Sequence, residues 1–99
     1  MKDSEMLLKG ANFLKNHHWV RGTRYATMNG TPTDIGSACR FCALGAIDKA
    51  CSENDVLNAR GRIPDISGLI SFNDYSAKNK MEVVNRMREM AKEYKAKGD

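Results

Sequence analysis

Nowhere in this chain do apolar residues run on for the roughly 18 positions that a membrane span needs, and the N-terminal stretch lacks the basic-then-apolar layout of a signal peptide. Both absences lead us to expect a cytoplasmic protein with no membrane association. Cysteine is scarce and odd in number: three residues, where a secreted disulfide scaffold of this size would carry a larger, even set. No glycine-rich phosphate loop is present, and no second Cys-x-x-Cys completes the pair at Cys39 and Cys42. Charge of one sign is in slight excess only. Sixteen Lys and Arg against twelve Asp and Glu give +4, a balance that favours anionic partners without requiring them. Duplex nucleic acid is not expected, because the basic residues near the C-terminus are interleaved with Glu82, Glu89 and Glu93.

What the chain does have suffices for one modest core. Ninety-nine residues, 41% of them hydrophobic, read as a single domain over 1–99. The first block, Ser4 to about His18, repeats Met6, Leu7, Gly10, Ala11, Phe13 and Leu14 at helical spacing, with Ser4 as the expected N-cap. After Arg24 the period changes, and Asn29-Gly30 sits between two short strand-like runs, the local signature of a β-hairpin. Pro32 makes the second of those strands short or an edge. A second helix is predicted from Ser37, as its N-cap, to about Cys51, carrying Cys39 and Cys42 within it and burying Phe41, Leu44 and Ile47. The polar stretch that follows predicts a short helical turn around Asp55 to Ala59 and then a loop. Leu69 to Phe72, extended or one helical turn, leads into Asn73-Asp74, read as the cap of a last helix. Met81, Val83, Val84, Met87, Met90, Ala91 and Tyr94 form that helix's apolar stripe, and Gly98 ends it. The fold class is therefore α+β and mainly helical, three principal helices with a short hairpin between the first and second. Its expected core holds Leu7, Leu14, Trp19, Phe41, Leu44, Ile47, Phe72, Val84 and Met87.

The order Trp19-x-x-Gly22, the Asn-Gly turn, Cys42-Ala43-Leu44-Gly45-Ala46, and Phe72-Asn73-Asp74 followed by a helix with Val83 in its first turn resembles an uncharacterised family of small domains. Its members occur in bacteriophage and in some actinobacterial proteins. Phe72 stands where that pattern leads us to expect Trp, which keeps an aromatic plug and removes an indole donor. The resemblance implies a fold and a phage origin, hence the host cytoplasm as the place of action. It carries no activity, substrate or cofactor.

Three chemistries are open to the residues. A thiol nucleophile, Cys42 or Cys39, near a helix start could work with His17 or His18 and with Asn73 or Asp74 as orienting group, the constellation of cysteine hydrolases and transferases. Against it, Cys42 also suits a tight helix contact and Asp74 suits a cap, so no catalytic residue is assigned. Cys39-x-x-Cys42, taken with Cys51 and a histidine, is half of many zinc sites, but both thiols fall inside the predicted helix and no matching pair follows, so no metal or cofactor is expected. An anionic, nucleotide-like ligand would find Arg21, Arg24 and Arg40 with Trp19 or Tyr25 as a stacking face. The alternative is that these arginines are solvated or pair with Asp34 and Asp48.

By elimination the leading expectation is a small non-catalytic binding module, a phage-type accessory protein that acts on a host factor through protein–protein contact. A host protein or a second copy of the chain is the expected partner. The methionines of the last helix would offer an adaptable surface if they are exposed and would fill the core if they are not.

Overall fold

The computed structural model describes residues 2–51 and 63–98. Helix α1 spans Asp3–Lys15, strands β1, β2 and β3 are His18–Trp19, Tyr25–Ala26 and Arg40–Phe41, and α2 is Ala43–Cys51. Helix α3, Ile66–Ser71, runs on into a π-type turn at Phe72–Ser76, and α4 is Lys80–Ala96. The α+β, mainly helical class is what the chain adopts. The turn expected around Asp55 to Ala59 lies outside the described residues.

Helix α1 is the centre of the molecule, packed against both α2 and α4. Met6, Leu7, Ala11 and Leu14 are wholly buried there against Ile47 of α2 and Val83, Val84 and Met87 of α4. Leu69 and Ile66 of α3 close the core from the side. Asp3 and Glu5 suit the positive end of α1 and Lys15 its negative end. The helix begins one residue before Ser4, which is buried inside its first turn and is not the N-cap.

Helix α1 also stops short of His18. Its last carbonyls have no intrahelical donors, and side chains supply them. Asn16 Nδ2 donates to Asn12 O at 3.0 Å, His17 Nδ1 to Phe13 O at 2.6 Å, and Lys80 Nζ to both Lys15 O and His17 O. Because Lys80 is the first residue of α4, the two helices run antiparallel, and a cation from one closes the end of the other.

The β layer is minimal. β3 lies in the middle, parallel to β1 with His18 opposite Arg40 and Trp19 opposite Phe41, and antiparallel to β2 with Tyr25 opposite Phe41. The Asn29-Gly30 hairpin turn is present: Gly30 N donates to Thr27 O and Thr27 N to Thr31 O, each at 2.9 Å. Its returning arm, however, meets β2 at a single bridge between Ala26 and Pro32. The main partner of β2 is β3, a segment the helical spacing had placed inside the second helix.

That helix starts six residues later than Ser37. Asp34 Oδ1 accepts from Ser37 N at 2.9 Å and closes a single 3-10 turn, Ile35–Ser37, instead. Local side-chain-to-backbone bonding of this kind competes with helix. Residues 39–42 are then drawn into the sheet, where Cys39 N donates to Ala26 O and Cys42 N to Arg24 O. Cys39 is exposed and Cys42 buried, so the two thiols do not share a helix face.

The start of α4 departs in the same way. Asn79, not Asp74, is the N-cap, its Oδ1 accepting from Glu82 N at 3.0 Å, while Glu82 Oε1 accepts from Lys78 N at 2.9 Å. Met87, Met90, Val83, Val84, Ala91 and Tyr94 are buried as the stripe required, but Met81 is 40% exposed. Trp19 and Phe72 are half-buried at the edge of the core, not inside it.

Candidate functional site

Trp19, Val20, Ala43 and Asp74 meet at one side chain. Asn73 sits in the π-type turn after α3, is fully buried, and uses all of its hydrogen-bonding capacity. Its Oδ1 accepts from Trp19 Nε1 at 2.8 Å and from Ala43 N at 3.0 Å. Its Nδ2 donates to Val20 O at 3.2 Å and to Asp74 Oδ1 at 2.9 Å. Asp74 Oδ1 accepts in addition from Gly22 N at 2.9 Å. Gly22 has φ +79°, a left-handed backbone that L side chains rarely adopt and that turns its N–H onto the carboxylate. Trp19, Gly22, Ala43, Asn73 and Asp74 are thus one polar hub joining the strand layer, the first residue of α2 and the turn before α4. The role assigned to Asp74 as a helix cap is replaced by this one. A helix-cap spacing rule could not reveal it, since Gly22 N, which donates to Asp74, lies 52 positions away in sequence.

Cys42 stands at the N-cap of α2, with Gly45 N directed at its Sγ at 3.4 Å and Ala46 N bonded to its carbonyl at 2.8 Å. Gly45 is required there by close approach: a Cβ would come within 2.2 Å of Arg24 O. The thiol lines a pocket of about 140 Å³ with Gly22, Thr23, Arg24, Leu44, Ile70 and Asp74. Burial pushes the Cys42 thiol up from its ordinary value, the Asp74 carboxylate adds to this, and the N–H groups of Gly45 and Leu44 oppose it. A desolvated, protonated thiol is a weak nucleophile.

Neither histidine is found at this pocket. His17 stacks on Phe13 with ring centroids 3.7 Å apart and meets Phe41 edge-on, and His18 is exposed in β1. The structure therefore brings Cys42 and Asp74 together and leaves His17 and His18 elsewhere. Among the described residues, no group of three His, Cys, Asp or Glu side chains is placed to hold a metal ion.

The five residues considered for an anionic ligand separate into two places. Arg24 lies on the Cys42 side and pairs with Asp48 at 3.5 Å. Tyr25 is buried, edge-on to Phe41, and its hydroxyl is pushed up to about 12, first by burial and then by Asp48. Trp19, Arg21 and Arg40 do come together, in an open groove of about 340 Å³ whose other walls are Val20, Met28, Asn29 and Gly30.

Both guanidinium groups of that groove are fixed by backbone carbonyls. Arg21 Nη2 donates to Ala77 O and its Cζ lies 5.0 Å from the centre of the Trp19 ring. Arg40 donates from Nε to Met28 O at 2.9 Å and from Nη1 to Trp19 O at 3.4 Å. Met28 is 47% exposed. Val20, Met28, Asn29 and Gly30 had not been singled out for a site. The hairpin turn that contains three of them was legible, but its juxtaposition with β1 was not.

The molecule is an α+β domain with a buried polar hub beneath an arginine-rimmed surface groove. It belongs to the family of unknown function DUF6197, which matches residues 1–93. No curated protein and no solved structure matches the chain. No helix among the described residues is long and apolar enough to cross a membrane.

Proposed function

We propose that this domain is a non-catalytic binding module that engages a protein partner through the groove of Trp19, Val20, Arg21, Met28 and Arg40. The observation that carries this reading is the combination of an aromatic ring, an exposed methionine and two anchored guanidinium groups on one open surface. Trp, Met and Arg are enriched where protein interfaces form. The guanidinium groups are already held by Ala77 O, Met28 O and Trp19 O, so little side-chain freedom remains to be lost on binding. The phage accessory role and a host factor as partner belong to the same reading.

The last helix supports an interface less well. Met87 and Met90 fill the core, and the outer face of α4 is of mixed charge with Met81 its exposed apolar residue. A second reading, a nucleotide-like anion held by Trp19, Arg21 and Arg40, draws on the same groove. It is disfavoured because a small ligand is normally mostly enclosed, whereas this surface is open and Arg21 already covers part of the indole.

The test is to compare wild type, Met28→Asp and Met81→Asp as baits in host lysate and in size-exclusion chromatography. Partner capture or self-association lost in Met28→Asp and kept in Met81→Asp is the expected result. The opposite pattern places the interface on α4 and refutes the groove.

A further inference from the structure

Resting on the binding surface just proposed, we infer that its partner is an acidic segment in which a bulky apolar side chain is flanked by carboxylates. The floor of the groove is apolar, built from Trp19, Val20 and Met28. Its rims are cationic. A guanidinium carries five N–H donors. Arg21 uses one of them on Ala77 O, and Arg40 uses two, on Met28 O and Trp19 O, so each keeps donors for a ligand.

Among the described residues, neither guanidinium has an acidic partner within 4.0 Å. No acidic side chain among the described residues lines the groove, and the arginines that do pair with a carboxylate, Arg24 with Asp48 and Arg86 with Glu89, lie outside it. A carboxylate arriving at Arg21 or Arg40 therefore displaces no acidic partner among the described residues, and it meets a fork whose geometry suits two parallel hydrogen bonds. A basic segment would be repelled. A neutral apolar one would cover the guanidinium groups without satisfying them, which costs desolvation. Seating an apolar side chain on Val20 and Met28 between two carboxylates satisfies both kinds of surface at once.

The experiment selects binders from a random peptide library against the full chain and then titrates the selected synthetic peptides. Trp19 is the sole tryptophan, so its emission reports occupancy of the groove directly. Selected sequences should place Asp or Glu on both sides of Phe, Leu or Met. Their Kd should rise with added salt and rise about tenfold in Arg21→Gln, a loss typical of a charge-assisted contact at an interface. Replacing one peptide carboxylate at a time by its amide should identify the one that meets Arg21: its replacement produces the same loss, with no further loss when combined with Arg21→Gln. Arg40→Lys, which keeps the charge, should weaken binding less than Arg40→Gln, with unchanged circular dichroism confirming the fold of each variant.

Selected peptides that perturb Trp19 but are neutral or basic would overturn the acidic partner and leave the groove as the interface. Peptides that bind without perturbing Trp19 and are indifferent to Met28→Asp, or a selection that yields no binder, would overturn both readings. A shift of Trp19 emission by ATP or inorganic phosphate at the same affinity as the peptides would replace the segment with a small anion.

Discussion

The helical layer and the polar hub hold the same domain together by opposite means. Around α1, the contacts of Met6, Leu7, Leu14, Ile47, Val84 and Met87 are apolar, non-directional and spread over many side chains. Around Asn73, the contacts are few and directional, and every donor and acceptor is used. Apolar packing tolerates exchange of one shape for another of equal volume. A buried amide with four partners tolerates almost none, because any replacement leaves several buried polar groups unsatisfied. The hub is therefore the part of the domain where a single substitution has the most to lose.

The comparison breaks most directly at Asn73. Asn73→Leu strands the Trp19 indole N–H, the Ala43 N–H and the Val20 carbonyl, and should cost about 4 kcal/mol, whereas Ile47→Leu in the helical layer should cost about 1 kcal/mol or less. Urea denaturation of the two variants, followed by circular dichroism, measures both. Equal losses would show that the hub is ordinary packing.

Gly45→Ala tests the seam between the regions, where helix α2 touches the backbone of Arg24. With backbone in the way, the added methyl has no flexible neighbour to displace, and a loss of about 3 kcal/mol is expected in the same assay.

Asp74→Ala removes the acceptor of Gly22 N and of Asn73 Nδ2 and should cost about 2 kcal/mol together with a change in Trp19 emission. Asn79→Ala removes the N-cap of α4 and should cost about 1 kcal/mol with Trp19 emission unchanged. If Asp74→Ala leaves the emission untouched, the hub does not extend to the carboxylate.

The most gradual effect is that of alkali. Burial raises the Cys42 and Cys51 thiols above 9.0 and the Tyr25 and Tyr94 hydroxyls above 10.0 in the fold, Tyr25 to about 12. Between the unfolded and folded values the unfolded chain loses protons that the folded chain keeps, so stability falls as pH rises. Thermal midpoints should be level up to pH about 9 and then decline toward 12, and Cys42→Ser should make the onset of that decline shallower. A flat profile over that range would mean that these groups are solvated.

Two elements were legible because their causes are local. The amphipathic stripe of α4 and the spacing of Met6, Leu7, Ala11 and Leu14 in α1 set which face is buried whatever the neighbours. The Asn29-Gly30 turn is likewise written into its own residues. The candidate groove was half legible. Trp19, Arg21 and Arg40 were identified from residue type, but Arg24 lines the Cys42 pocket and Tyr25 is buried against Phe41, and the contribution of Met28 required knowing where the hairpin folds.

By itself, then, the sequence determined a mainly helical α+β domain with α1 and α4 as its long elements, because helical periodicity and apolar content need no distant partner to be read. Only the tertiary structure decided that residues 40–41 are the central strand and not the start of a helix, since Trp19 and Tyr25 must both be present for that pairing to exist. It likewise decided that Asn73 and Asp74 close a hub and not a cap. Their ligands are Trp19, Val20, Gly22 and Ala43, and short polar side chains bond to the donors that folding brings near, not to those that lie near in sequence.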